Sequence, residues 1–378
     1  MFFGVALRLV AAECALTVTL PGNDRLKKAL MKEYEFISCP GTEVEVEPLA
    51  RLFPASFRDV DGAAQPSKDF FVWYLYRPGL WAFSAWWQEQ MVASVWATIE
   101  KMYLGGSLIK VGIIDGLCTH PAYRRQGLAT SLLNEAAQFI KEKKSSLMLL
   151  YTLAPTSEMA HPPAYSLYQK LGYQEAARIN YLVHPGAFCR TGASRSFDPG
   201  LKTGPLDEAE EARFIDFLNN HFEYRDGYVP TSRRLWRWRR EMRPPSVPCD
   251  FYFYEKAGGI LATICLSGLR VFLPQSGPMG GTNEARTTEA THLGEIVLLP
   301  RAKDEAFPLF LALIPRDTRA IALVDEKDED YSRLFYRFGF RSLFQEVAMA
   351  LPLTPEGEKA LAQRSGPWYP LTESIIGV

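Results

Sequence analysis

The chain holds 378 residues, which at a usual domain size of ~150 residues points to two or three domains. Hydrophobic residues make up 47% and charged residues 22%, which excludes a wholly disordered chain, a collagen-like repeat and a coiled coil. Forty-two Lys and Arg against 43 Asp and Glu leave a formal charge of −1, so no overall field draws the protein to nucleic acid or anionic lipid.

Six cysteines are scattered without a CxxC pair, neither a disulfide framework nor a zinc signature. Reduced thiols in a cytoplasm are the simple reading. Residues 1–20 are mostly apolar, but no basic residue precedes the run, and Arg8 and Glu13 interrupt it. Charges at a bilayer centre cost roughly 2.5–3.5 kcal/mol each. Residues 1–33 are therefore read as an N-terminal extension, and no membrane role is expected.

In chain order, Tyr34–Cys39 reads as a strand, Pro48–Phe53 as a short helix and Lys68–Tyr76 as an aromatic helix ended by Arg77-Pro78-Gly79. Leu80–Trp87 and Met91–Tyr103 form a hairpin by their β-branched and aromatic content. Leu108–Thr119 is a further strand. From Leu128 to about Lys143, the apolar residues Leu128, Leu132, Leu133, Ala136, Phe139 and Ile140 recur at helical spacing. Leu147–Leu153 has the continuous apolar run of a buried strand. A helix over Pro163–Leu171 closes at Gly172, and Ala176–Val183 supplies the next strand. Residues 185–206, rich in Gly, Pro, Ser and Thr, read as a linker.

The second half repeats the plan. Helices are expected at Glu208–Asn219, Ser232–Met242 and Tyr331–Phe338, and strands at Asp250–Glu255, Gly259–Leu266, Gly294–Leu299, Ile321–Val324 and Val347–Leu353. Two echoes mark a duplication of about 170 residues. Leu167-Tyr168-Gln169-Lys170-Leu171-Gly172-Tyr173 lines up with Leu334-Phe335-Tyr336-Arg337-Phe338-Gly339-Phe340, and Arg77-Pro78 with Arg243-Pro244. The divisions are 34–186, a linker over 187–206, and 207–378.

The chemistry sits in Asp115-Gly116-Leu117-Cys118-Thr119-His120-Pro121-Ala122-Tyr123-Arg124-Arg125-Gln126-Gly127-Leu128-Ala129. A strand ends at a proline turn, and a loop containing Gly127 opens directly into an amphipathic helix. The first turn of a helix has N–H groups with no internal partner and a partial positive charge. A diphosphate is the natural guest, and Gly127 lets the backbone approach it closely. Arg124 and Arg125 add charge, and Thr130 and Ser131 add hydroxyls.

This stretch resembles the acetyl-CoA-binding motif of the GNAT family of N-acetyltransferases, Gln/Arg-x-x-Gly-x-Gly/Ala, here Arg124-x-x-Gly127-x-Ala129. Downstream, Ala164-Tyr165-Ser166-Leu167-Tyr168-Gln169-Lys170-Leu171-Gly172-Tyr173 looks like the family's Asn-x-x-Ala-x-x-Leu-Tyr-x-Lys-x-Gly-Phe/Tyr. The resemblance implies an α/β (α+β) fold of two GNAT-like domains in tandem, each a twisted mixed sheet flanked by helices. It implies acetyl-CoA as cosubstrate, bound by Leu117, Cys118, Thr119, Arg124, Arg125, Gln126, Gly127, Leu128, Ala129, Thr130, His161 and Tyr168. The strand at Leu117–Thr119 would splay from Leu147–Leu153 to admit the pantetheine arm. Tyr168 stands where the family often places its general acid.

Asp115, two residues before Leu117 and so on its face of the strand, is the candidate general base. His161 replaces the family's usual Asn and could contact CoA, act as a base or cap the helix. His120 reads as structural, and Cys118 as a nucleophile is not needed for direct attack on the thioester.

Aligning Pro300 on Pro121 puts Ala306 opposite Gly127, with Asp304 and Glu305 where a diphosphate would sit and Phe335 opposite Tyr168. The second repeat is therefore expected not to bind CoA. The aromatics of 69–76, with Trp81, Trp86 and Trp87, would line an acceptor pocket or pack as core. The Arg- and Trp-rich run 233–243 reads as an amphipathic, solvent-faced helix rather than a nucleic-acid surface. The expected function is acetyl transfer to a primary amine of a small-molecule or peptide acceptor, without metal. The rival is a catalytically inactive CoA-binding sensor or interaction protein. Acceptor identity and oligomeric state are left open.

Overall fold

A computed structural model describes residues 34–57, 66–156, 162–184, 200–203, 206–273, 286–315 and 318–371. The N-terminal extension, His161 and most of the linker lie outside the described residues.

In the first half, β1 (Glu35–Pro40) leads to α1 (Val46–Phe57), α2 (Lys68–Leu75), β2 (Leu80–Trp87), β3 (Gln90–Leu104) and β4 (Ser107–Thr119). Then follow α3 (Leu128–Glu142), β5 (Leu147–Leu153), α4 (Pro163–Lys170) and β6 (Gln174–His184). The second half runs β7 (Leu201–Thr203), α5 (Glu208–Phe222), α6 (Arg233–Arg240), β8 (Cys249–Lys256), β9 (Gly259–Leu273) and β10 (Arg286–Leu298). It closes with α7 (Lys303–Leu311), β11 (Arg319–Asp325), α8 (Glu329–Arg337), β12 (Arg341–Pro352) and α9 (Pro355–Gln363).

The strands join into one 12-stranded sheet in the order β1-β2-β3-β4-β5-β12-β6-β11-β10-β9-β8-β7. Pairing is antiparallel except at β4–β5 and β10–β11. The order carries a finding that no local pattern announces. The chain's last strand, β12, enters between β5 and β6, while β6 pairs with β11 of the second half. Each half therefore completes its sheet with a strand of the other.

The exchange follows a pseudo-two-fold axis. Asn180 and Gln345 are register partners on β6 and β12, 165 residues apart, and their side chains bond at 3.0 Å. Trp73 and Trp238, also 165 residues apart, stack with ring centroids 4.6 Å apart. Each indole N–H donates to the other tryptophan's carbonyl, at 2.8 and 2.9 Å. Arg77 lies over Trp238 and Arg243 over Trp73, so the Arg-Pro echo in the sequence marks a cation–π clamp on the axis. Trp73→Phe takes the indole donor from the buried Trp238 carbonyl and is expected to lower unfolding free energy by about 1–3 kcal/mol, read from urea unfolding. Trp238→Phe is expected to cost less, because the Trp73 carbonyl still accepts from the Tyr76 N–H at 3.1 Å.

The Arg- and Trp-rich helix is amphipathic, as expected: Arg233, Arg234 and Arg237 face solvent, while Leu235, Trp236, Trp238 and Arg239 are buried on the face toward the axis. Arg233, Arg237, Arg239 and Arg240 meet Glu208, Glu241, Glu295 and Glu211. The aromatics of α2 likewise pack as core, with Phe70, Phe71, Trp73 and Tyr74 buried. No described helix is long and apolar enough to cross a membrane.

On one face of the first half, α3 buries Leu128, Leu132, Leu133, Ala136 and Ile140 in a cluster that also holds Tyr168 of α4. On the other face, α1 and α2 pack over Ile113, Cys118 and Leu149.

Candidate active site: a helix-opening turn beside a split between parallel strands

Strand β4 pairs with β5 only at Val111–Ile113 against Leu147–Leu149, although β4 continues to Thr119 and β5 to Leu153. Beyond that point the two strands diverge, as expected for Leu117–Thr119. The β5-facing edge of β4 is thereby left without a strand partner. Leu117 and Cys118 lie in the split stretch, where Cys118 is buried. Burial pushes the Cys118 thiol up to about 12, so it stays protonated.

The turn after β4 is built for exposure of its amides. His120 caps a short 3₁₀ turn, Pro121–Tyr123, its Nδ1 accepting from the Ala122 N–H, which is the structural role expected of it. Arg125 (φ 65°) and Gly127 (φ 89°) both adopt left-handed backbone, and Gly127 is the N-cap of α3. Such reversals turn successive N–H groups into a concave anion nest. Among the described residues, the backbone N–H groups of Arg125, Gln126, Gly127, Leu128, Ala129 and Thr130 find no protein acceptor. A Cβ built on Gly127 meets no atom within 4 Å, so the space over the turn is open. Arg125 and Gly127 are exposed, and Thr130 lies at the rim. The donor set and the clearance fit a diphosphate.

Arg124 is placed differently from the other cradle residues. Its guanidinium donates to the carbonyls of Thr119 (3.2 Å) and Ser56 (2.8 Å), tying the turn to β4 and to α1. The side chain therefore shapes the cradle and does not point into it. Gln126 is held from behind by the Tyr34 hydroxyl at 2.5 Å.

Tyr168 is buried between α4 and the sheet, its ring 5.7 Å from that of Tyr173. Burial first, and then the nearby Glu346 carboxylate, push its phenol well above the ordinary range. The phenol therefore holds its proton at every working pH. Glu346 has no sequence signal. It comes from β12, where it is the register partner of Leu153 at the open end of β5, and only the strand exchange brings it there.

Asp115 is corrected in its placement. Gly116 (φ 60°) sits at a bulge between the Ser94 and Trp96 pairings of β3, and the extra residue breaks the two-residue alternation. Asp115 turns to the α2 face, where Tyr74 donates to it at 3.1 Å and Arg77 at 3.4 Å. Leu117 instead packs with the α3 cluster. Both members of the Arg77–Asp115 pair are almost wholly buried. Removing one partner of such a pair strands the other charge. Asp115→Asn is expected to cost about 3 kcal/mol of stability, seen as a lower urea midpoint, while the folded fraction keeps its acetyl-CoA affinity. The second half repeats the device with Arg239 and the bulged Glu295, at 2.9 Å.

The second split is closed. Strands β10 and β11 also part after Leu293 and Ala322, but Tyr331 of α8 fills the gap. Its hydroxyl donates to the Ile296 carbonyl and accepts from the Leu298 N–H, both at 3.2 Å. The cavity left is about 60 Å³. The cradle is missing altogether, because β10 passes into α7 through residues 299–302 only. Ala306 therefore does not occupy a loop position equivalent to Gly127; it is buried inside α7. Asp304 and Glu305 lie in that helix's first turn, paired with Arg337 and Lys256, and not in a diphosphate cradle as expected from the alignment on Pro300.

A groove of about 780 Å³ borders the first cradle, lined by Pro48, Leu52, Trp87, Met91, His120 and Tyr123 among others. Of the tryptophans considered for an acceptor pocket, Trp87 lines it, whereas Trp81 stacks on Phe139 and Trp86 bonds Ser84. Among the described residues no group of three His, Cys, Asp or Glu could hold a metal ion.

Residues 40–176 match the acetyltransferase (GNAT) domain family. An aminoglycoside N(6')-acetyltransferase type 1 of Acinetobacter haemolyticus is 27% identical over 94 residues, 25% of this chain and 61% of that enzyme's length. Among solved structures, a tandem GNAT protein from the clavulanic acid biosynthesis pathway superposes with a TM-score of 0.60 at 13% identity, over 85% of this chain and 99% of that one. The N-myristoyltransferase of Saccharomyces cerevisiae, solved with bound myristoyl-CoA and inhibitors, gives 0.63 at 14% identity, over 92% of this chain and 86% of that one. At these identities the two structures speak for the fold alone. Residues 40–176 therefore form a GNAT-family domain, and a second unit of GNAT-like fold follows it, as in the tandem GNAT structure.

Proposed function

We propose that the chain is an N-acetyltransferase with one working site, in its first half. That site moves an acetyl group from acetyl-CoA to a primary amine of a small-molecule or peptide acceptor by direct attack. The observation that carries this reading is the row of unpartnered amides from Arg125 to Thr130, opening beside the split of β4 from β5. The amides suit the diphosphate, and the free edge of β4 at Leu117–Thr119 suits a pantetheine arm lying as an added strand.

Tyr168 remains protonated and so serves as a donor to the sulfur as the C–S bond breaks. The raised Cys118 thiol speaks for direct attack over an acyl-enzyme, because a nucleophilic cysteine acts as thiolate. The Tyr331 plug and the missing cradle support one site per chain. The match to an aminoglycoside acetyltransferase supports an amine acceptor. The groove beside His120 and Trp87 is the acceptor's approach in this reading. A cytoplasmic location accords with the free thiols of Cys39, Cys118, Cys249 and Cys265.

Calorimetric titration with acetyl-CoA, repeated with longer acyl-CoAs, tests the donor; one site per chain and preference for acetyl are expected. Thiol release with a panel of simple amines, aminoglycosides and peptides tests transfer. Binding without turnover across the panel would make the protein a sensor instead.

A further inference from the structure

We propose that Glu346, on the strand contributed by the second half, is the general base that deprotonates the incoming amine at the first half's site. This rests on the acetyltransferase reading above. Strand β12 is wedged between β5 and β6, and Glu346 is register partner to both Leu153 and Ile179. Leu153 is the last residue of β5, beyond the point where β5 has left β4. The carboxylate therefore stands at the mouth of the split that would receive the thioester.

Three further observations converge. Glu346 remains partly exposed, so an acceptor nitrogen can reach it. Among the described residues its carboxylate makes no hydrogen bond or ion pair, unlike Asp115, which Tyr74 and Arg77 occupy. Its carboxylate lies close enough to Tyr168, the donor assigned to the sulfur, to add to the burial that raises that phenol. Burial holds the carboxyl up at about 8, close to where a base for an ammonium ion works best. Tyr168 on α4 and Tyr181 on β6 have phenols raised first by burial and then by this carboxylate. The charged groups flanking it are Arg178 on β6, register partner of Val347, and Glu326, which bonds Gln345 at 3.3 Å.

The proton count closes. An ammonium nitrogen sheds two protons on becoming an amide. Glu346 takes the first and passes it to solvent, and the freed lone pair forms the C–N bond. As the C–S bond breaks, its electron pair stays on sulfur, which takes a proton from Tyr168. The nitrogen's second proton then restores the phenol. The second half thus lacks a CoA cradle of its own yet supplies part of the first half's machinery.

The test compares wild type with Glu346→Gln and Glu346→Asp, using benzylamine (an ammonium at neutral pH) and hydroxylamine (already neutral). Glu346→Gln is expected to leave acetyl-CoA affinity by calorimetry unchanged and to lower kcat for benzylamine about 100-fold. It should also abolish a rise of kcat through a midpoint near pH 8. The loss with hydroxylamine should be much smaller, and Glu346→Asp should recover part of the benzylamine rate. Unaltered kcat and pH profile in Glu346→Gln, or equal losses with both amines, would overturn the assignment. Absence of acetyl-CoA binding or of any transfer by wild type would instead overturn the acetyltransferase reading, and this proposal with it.

Discussion

Replacing Gly127 by Trp is expected to weaken acetyl-CoA binding about 1000-fold or more. Among the described residues, six consecutive amides of the cradle, Arg125 to Thr130, have no protein partner. A hydrogen bond to a charged group is worth about 1.5–3 kcal/mol, so losing two or three of them removes roughly 3–9 kcal/mol, against ~4 kcal/mol for a 1000-fold change. A side chain at Gly127 projects into the open space over the turn, since its Cβ would touch nothing. The indole therefore stands where the diphosphate would lie. The left-handed backbone adds roughly 1–2 kcal/mol of strain, small against the stability of a domain this size. Calorimetry should show binding lost while circular dichroism and the thermal midpoint stay near wild type. Retained micromolar binding would show that the phosphates lie elsewhere.

Tyr168→Phe is expected to reduce kcat by about 100- to 10,000-fold, the usual worth of a positioned acid, while acetyl-CoA affinity changes little. The phenol is buried and always protonated, and removing its oxygen leaves the ring's packing against Tyr173 intact. The defect should therefore lie in chemistry and not in folding. A leaving thiolate of lower basicity needs less protonation. An acetyl thioester of an activated thiol should accordingly recover part of the loss. An unchanged kcat would assign the sulfur's proton to another donor, with Tyr168 reduced to packing.

The opposed fates of Tyr168 and Asp115 show what kind of reading a strand permits. Tyr168 was legible because helix spacing and the closing Gly172 place it without ambiguity. Asp115 was misplaced because side-chain alternation assumes an unbroken ladder, and a single bulge at Gly116 reverses it. The bulge has a local cause only in three dimensions. A Cβ at Gly116 would lie 2.5 Å from the Trp96 ring, so glycine is required where β3 presses on β4.

The amino-acid sequence by itself determined the tandem repeat, the run of helices and strands and the glycine-opened turn at Arg124–Ala129. Each of these is written in residues close along the chain, where periodicity, caps and turn chemistry act over a few positions. Tertiary structure alone decided which strands are neighbours. Hydrogen bonding between strands depends on backbone, which every residue carries alike, so no local pattern distinguishes β12 beside β5 from β12 beside β11. The same holds for the Trp73–Trp238 stack on the pseudo-dyad, for Tyr331 filling the second split and for Glu346 reaching the first. All bring together residues far apart in the chain, and their meeting is fixed by packing and not by spacing.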